Sequence, residues 1–382
     1  MLVFALAFVT GASETGFTYY IDDESGKACI SGILGEEMPE TVIIPSKIDG
    51  INVGRIENAV AVNEYGDVRY ETFDLKGAKH LVISEGVERI CNFIGMENLE
   101  TVKLPKSLKV LPNFAFAGAS KLESINLEFV ESISSMAFEG CVSLDEVNLI
   151  SAKKVGINAF NLIDGLAIYG LENSDAERYA KDTGAEFYKL PGNEMTAMKL
   201  YSLGLMKGIG YTDGGILLFD LNRTPTRVEA ITMLVRLLGK ESDAFNVGKT
   251  HPFSDVPEWA DGYVSYAYEN GLTNGIGDTL FGAEQLCTAE MYVTFVLRTL
   301  DYLEIGENQK FPDDNLWELA EAVGMGAEKY NTGEFWRGEL AEMSFDALQA
   351  NINGSLQKLY EKLILENVFT EQDWENVSVL FS

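Results

Sequence analysis

The chain has 382 residues, enough for two or more domains with buried cores. It is 46% hydrophobic and 23% charged, which excludes a disordered polymer. Acids outnumber Lys and Arg by 59 to 29, a net charge of −30, and this argues against nucleic acid, whose phosphates need clustered bases. The acidity is spread along the chain. Residues 191–382 hold 30 acids and 13 bases, a charge of −17, which leaves −13 for the front half. Such a balance suits a protein kept soluble outside a cell, and one that collects divalent cations weakly.

The first residues read MLVFALAFVTGASE. Leu2–Val9 is an apolar run, and Thr10-Gly11-Ala12 supplies small residues for cleavage, as in a secretory signal over residues 1–13. The basic start of such a signal is missing, and a buried first strand is the alternative reading. Nowhere else does an apolar run approach the ~20 residues that span a bilayer, so no membrane span is expected in the mature chain. Ile21–Ala28, IDDESGKA, has acids at short spacing. It lacks the full spacing of a calcium loop and its closing Glu, so a solvated hairpin turn is expected. Cys29, Cys91, Cys141 and Cys287 are far apart and form no C-x-x-C, which excludes a zinc site. The default reading is buried thiols, with a Cys91–Cys141 disulfide left open.

From Leu99 the sequence repeats. LETVKLPKSLKVLPNFAFAGASK, LESINLEFVESISSMAFEGCVS and LDEVNLISAKKVGINAFNLIDG begin at Leu99, Leu122 and Leu144, and a fourth stretch begins at Leu166. Phe116, Phe138 and Phe160 fall 22 residues apart, each preceded by Ala. Val102/Leu104, Ile125/Leu127 and Val147/Leu149 alternate as in short strands. A fixed period in the twenties means a solenoid, in which stacking of the turns makes the core and the repeated Phe form a ladder. The pattern resembles the leucine-rich repeats of BspA-like (Treponema-type) bacterial surface proteins over residues 14–190. LENSDAERYAKDTGAEFYKL resembles the closing cap, and Glu57 to Asp74 breaks the period as an insertion or degenerate turn. The resemblance implies a rigid spacer, or a surface that binds a protein or glycan. The strand positions expected to face outward are Thr101, Lys103, Ser124, Asn126, Glu146 and Asn148, polar and small, with no aromatic cluster.

Leu190-Pro191-Gly192-Asn193 reads as a linker, after which helical periods begin. Thr224–Gly239, TPTRVEAITMLVRLLG, opens with Pro225 in the first turn and has the T-x-x-E capping spacing at Thr226 and Glu229. Val228, Ile231, Val235 and Leu238 follow on one face. Arg227 is the misfit, since a cation opposes the positive helix start. GLMKGIG at Gly204 and GLTNGIG at Gly271 match at five of seven positions, and Thr226 aligns with Thr288. With FSDVPEWADGYVSYAYENG these residues resemble S-layer homology (SLH) domains, in units over 191–250, 251–304 and, more divergently, 305–382, where FWRGELAEM holds Trp336, Arg337 and Glu339.

The SLH resemblance implies an all-α three-fold helical bundle behind the solenoid, an α+β chain overall. It implies non-covalent attachment to secondary cell-wall polysaccharide, often pyruvylated, through grooves between the units. Open N–H groups at a helix start and an Arg fork suit such an anion. The expected polymer-binding residues are Thr226, Arg227, Glu229, Trp336, Arg337 and Glu339. The second unit departs from the pattern. Ala289 stands at the Arg place, and Thr250–Leu297 holds seven acids and no Lys or Arg, so a dead groove is expected there. His80 and His251 are the only histidines, too few for histidine chemistry, and His80 reads as structural. Trp259 and Trp317 read as core. No G-x-S-x-G, P-loop or distinctive carboxylate pair stands out, so neither an enzyme nor a cofactor is expected. The expected protein is a secreted, wall-bound surface protein displaying its repeats; the alternative is a structural S-layer component that uses them as a spacer.

Overall fold

The computed structural model describes residues 11–12, 16–34, 38–62, 68–71, 73–302, 316–331 and 333–380. The expected signal segment lies almost wholly outside them. Two compact units are present: Met1–Leu190 with Tyr211–Leu217, and Pro191–Gly210 with Leu218–Ser382.

The first unit is a β-solenoid. It opens with Phe17–Ile21 antiparallel to Ala28–Ile33, which pairs in parallel with Ile51–Ile56. Thr41–Ile44, His80–Ile83, Thr101–Lys103 and Ser124–Ile125 then form one parallel sheet. Glu146–Asn148, Ala167–Gly170 and Glu186–Lys189 form another. A second side of the coil is the parallel set Val110–Leu111, Ser132–Ile133 and Lys154–Val155, one residue pair per turn. The strands are short because alternation lasts only as long as the inward pair. Val102, Leu104, Ile125, Leu127, Val147 and Leu149 are buried, and the chain then turns.

The third side carries the aromatic ladder. Phe93, Phe116, Phe138 and Phe160 stack with centroids 5.6, 5.7 and 5.0 Å apart, and Phe73 and Tyr179 close the ends edge-on. Phe114, Met136 and Asn158 hold the same left-handed conformation, φ 58°, 57° and 56°, one per turn. That conformation is uncommon outside Gly, and its recurrence shows the turn is set by the stack rather than by residue preference. The C-terminal cap is α1, Asp175–Thr183, started by Ser174 and stopped by Gly184 at φ 78°. Its Tyr179 hydroxyl accepts from Phe160 N at 2.9 Å, so the last rung leaves no orphan donor. The stretch that breaks the period contains an antiparallel hairpin, Ala59–Val62 against Val68–Glu71.

The second unit is helical: α2 Gly192–Ser202, α3 Arg227–Leu237, α4 Glu241–Val247, α5 Asp261–Glu269, α6 Ala289–Thr299, α7 Leu316–Ala322, α8 Arg337–Leu348, α9 Leu359–Leu365 and α10 Glu371–Leu380. It is not wholly α. Gly277 bridges Leu280 at the second GIG turn, and at the first Gly210–Tyr211 pairs with Leu217–Leu218, a hairpin whose Tyr211–Leu217 segment belongs to the first unit. Helix α3 is buried nearly all round, from Arg227 and Val228 to Leu237. One expectation is corrected. Trp259 is 56% exposed, since it lies in a short 3-10 turn, Glu258–Ala260, ahead of α5 rather than on its apolar face. The cysteines follow the default reading: all four are free thiols, Cys29, Cys141 and Cys287 buried and Cys91 partly so, and Cys141 Sγ donates to Phe116 O rather than pairing with Cys91.

Candidate functional site at the repeated helix starts

Three helices of the second unit begin alike. Thr226, Thr288 and Trp336 are their N-caps, all with extended backbone. At α3 the capping box is complete: Thr226 Oγ1 accepts from Glu229 N at 3.4 Å, and Glu229 Oε2 accepts from Thr226 N at 2.8 Å. At α6 Thr288 Oγ1 accepts from Met291 N, but Met291 returns nothing. At α8 the order reverses: Glu339 Oε2 accepts from Trp336 N at 2.7 Å, and the indole offers no acceptor in return.

Arg227 lies inside the unit, 6% exposed. Its amide donates to Gln285 O at 2.7 Å and Val228 N to Ala283 O at 3.2 Å. Its Nε donates to Phe281 O at 2.9 Å and Nη2 to Thr273 Oγ1 at 3.4 Å. The guanidinium lies 5.0 Å from the Phe281 ring centroid and 4.8 Å from that of Phe295. Arg337 repeats the arrangement one joint away, also 6% exposed. Its amide donates to Arg223 O at 2.7 Å, Gly338 N to Leu221 O at 3.0 Å, and its Nε to Phe219 O at 2.9 Å. Burial draws both guanidinium pKa values below the ordinary one.

These helix starts differ from the open anion site of the sequence reading in two respects. The first-turn amides of α3 and α8 are spent on carbonyls of the facing repeat. The Arg fork is turned inward, with Nε on a main-chain oxygen, rather than held out for a carboxylate. The misfit of a cation at a helix start disappears for the same reason. Carbonyl dipoles and ring faces surround it, and those are the surroundings a buried cation needs.

The loops that receive the two Arg are held differently. Asp255 accepts from Phe281 N, Gly282 N and Ala283 N at 2.7, 2.7 and 3.1 Å. These bonds keep its carboxyl pKa low although burial works against them. Sequence reasoning missed Asp255, although the F-S-D-V motif contains it. Around Arg337 the loop is tied by ions: Arg223 Nε meets Asp220 Oδ2 at 2.5 Å, and its two Nη atoms meet both Glu229 oxygens at 2.7 and 2.8 Å. Lys207 and Arg236 are nearby, both on Glu241. Ala289, 8% exposed, carries only a methyl group and no donor to cross the joint. Among the described residues its amide and that of Glu290 meet no carbonyl of a facing repeat.

Exposed apolar groups flank these joints. Trp336 is 41% exposed, and the two GIG hairpins show equivalent pairs, Ile209 with Leu218 and Ile276 with Leu280. In the solenoid, the outward strand positions are more varied than expected. Asn126 turns back to bond Leu104 N and O, and Asn148 is buried on Ile150 N. The column beyond Asn148 continues into Tyr169 and Tyr188, which stack 5.0 Å apart at 19°, an aromatic pair that sequence reasoning did not find. His80 Nδ1 meets Thr101 Oγ1 at 2.9 Å, a structural role. The Asp22 turn pairs with Arg55, and among the described residues no cluster of acids, His or Cys is arranged to hold a metal.

Comparison with known proteins places these features. Residues 66–172 match the BspA type leucine-rich repeat region in six copies, and residues 252–288 match the S-layer homology domain. A cell surface protein of Thermoanaerobacter kivui is 32% identical over 111 residues, 28% of this chain and 14% of that one. An endoglucanase of a Bacillus species, strain KSM-635, is 31% identical over 86 residues, 22% of this chain and 9% of that enzyme. The chain thus corresponds to a small part of each relative. The Treponema pallidum leucine-rich repeat protein aligns with 41% of this chain and 69% of its own at 22% identity and a TM-score of 0.35. The pneumococcal antigen PcpA aligns with 43% and 50% at 18% identity and a TM-score of 0.29.

Proposed function

We propose, for a chain whose residues 66–172 are a BspA-type leucine-rich repeat region and whose residues 252–288 are an S-layer homology domain, a wall-anchored display protein. Its domains are binding modules, and they give it the capacity to attach to the cell wall at the cell surface. The finer reading is that it is secreted, that the helical unit takes the secondary wall polysaccharide, and that the solenoid displays a surface for adhesion or protein interaction. The observation that carries this is the recurrence in tandem of a helix started by an extended N-cap, at Thr226, Thr288 and Trp336, with the Arg arrangement repeated at the first and third, around the matched S-layer homology stretch.

On this reading the polymer lies over the joints that contain Arg227 and Arg337. The two cations act from beneath, through a medium of low dielectric, and attract an acidic substituent without touching it. Trp336 supplies an exposed ring for a sugar face. Thr226, Glu229 and Glu339 shape the helix starts. The joint at Ala289 offers no cation, so its groove contributes least.

Sedimentation of the full chain with isolated cell walls tests the proposal. The chain should pellet with intact walls and stay in solution with walls whose secondary polymer has been stripped by acid. Trp336→Ala should weaken the binding by about tenfold, a loss of ~1.4 kcal/mol. Equal pelleting on both kinds of wall would overturn the proposal.

A further inference from the structure

We infer that Arg227 and Arg337 are pins that lock two joints of the helical unit, and that the joint at Ala289 is unpinned and opens first. The inference concerns the mechanics of the unit and stands whether or not the polymer binds there.

The pins are built alike. Each side chain leaves the first turn of its helix and crosses into the facing repeat, where its Nε closes on a main-chain carbonyl, Phe281 O or Phe219 O, at 2.9 Å. Each is flanked by two main-chain bonds across the same joint, from Arg227 N and Val228 N in one and Arg337 N and Gly338 N in the other. Removing a pin leaves a buried carbonyl without its donor and, at Arg227, a void between the Phe281 and Phe295 rings. The cost of parting such a joint is therefore high, and it falls on the amides of the first helical turn.

The third helix start has none of this. Ala289 ends at a methyl group, and among the described residues no first-turn amide of α6 crosses to a facing repeat. Ala289 is packed, at 8% exposed, and Thr288 caps Met291 N, but among the described residues the ring and hydroxyl contacts of α6 come a turn later, at Tyr292. Its ring lies 6.0 Å from that of Phe335, and its hydroxyl meets Ser344 Oγ at 2.6 Å. The first turn of α6 is thus held by its own cap and by packing, without an Arg pin, while Tyr292 holds the body of the helix.

Hydrogen exchange on the full chain, read by mass spectrometry on fragments covering each helix start, separates the three joints without any mutation. The Arg227–Val228 and Arg337–Gly338 amides should exchange at least tenfold more slowly than those of Ala289–Glu290. In Arg227→Met the first pair should accelerate to the α6 rate while Arg337–Gly338 keeps its protection. Arg227→Lys, which keeps the charge and loses the fork, should behave like Met. Equal protection at all three starts in the unmodified chain would overturn the inference, as would protection unchanged by either substitution. Should the substituted chains not fold, the comparison within the unmodified chain still decides it.

Discussion

The carboxylate of Glu241 takes three donors at once: Lys207 Nζ at 2.6 Å, Arg236 Nε at 2.8 Å and the Tyr263 hydroxyl at 2.5 Å. Burial would raise its pKa, but these partners prevail and hold it at about 2. An unfolded Glu titrates near ~4.3, so the native state releases this proton more readily. The stabilisation is therefore complete above about pH 4.3 and is lost as pH falls toward 2. Glu241→Gln should destabilise the helical unit by about 1–3 kcal/mol at neutral pH, and the difference from the parent should shrink in urea titrations below about pH 4. A constant difference across that range would rule out the charge as the cause. Of this network, the sequence shows Arg236 only as a cation in the last turn of α3. For Arg227 it shows an anomaly, and the structure supplies the reason. Its partner is a main-chain oxygen 54 residues away, and a carbonyl leaves no mark in a sequence. Trp259 differs for a related cause: spacing reads it as core, but it lies in the 3-10 turn after Pro257, where the backbone is not yet α.

A ladder of rings makes each rung of the solenoid depend on its neighbours. Phe138 stacks on Phe116 at 5.7 Å and on Phe160 at 5.0 Å and is fully buried. Phe138→Ala removes both contacts and leaves a cavity, and should cost about 3–5 kcal/mol by chemical denaturation. Coupling between adjacent turns means that the loss should spread, with exchange protection falling in the turns of Phe116 and Phe160. Tyr179→Phe tests the cap. It keeps the edge-on ring but strands Phe160 N, and should cost about 1–3 kcal/mol. The 22-residue beat made the coil and its ladder legible, because stacking forces equivalent residues to equivalent positions. The tyrosine pair escaped that beat. Tyr188 follows Tyr169 after 19 residues, since α1 replaces the usual turn between their strands. The outward set was readable as positions but not as directions, because Asn126 and Asn148 fold back on main-chain groups that spacing does not reveal.

A net charge of −30 sets the frame for the whole molecule, and two buried carboxyls add to it. Glu128 lies in the solenoid and Glu194 in the helical unit, 4% and 8% exposed. Burial raises both pKa values to about 7, in Glu128 against its own amide and Lys106. Between ~4.3 and ~7 the native chain therefore binds more protons than the unfolded one, and stability falls as pH rises through that window. Self-repulsion among the surface acids adds to the same trend. Glu241 and Asp255, whose native pKa values are lowered, oppose it only below about pH 4. The chain should thus be most stable in mildly acid solution, with both units melting higher at about pH 5 than at about pH 8. Substitution separates the buried groups from the surface field. Glu128→Gln should stabilise the solenoid by about 1–3 kcal/mol at pH ~8 and change it little at pH ~5, while leaving the helical unit untouched. Glu194→Gln should do the same for the helical unit and leave the solenoid untouched. Calorimetry at the two pH values distinguishes the cases: a pH slope unchanged by either substitution would assign it wholly to the surface charge.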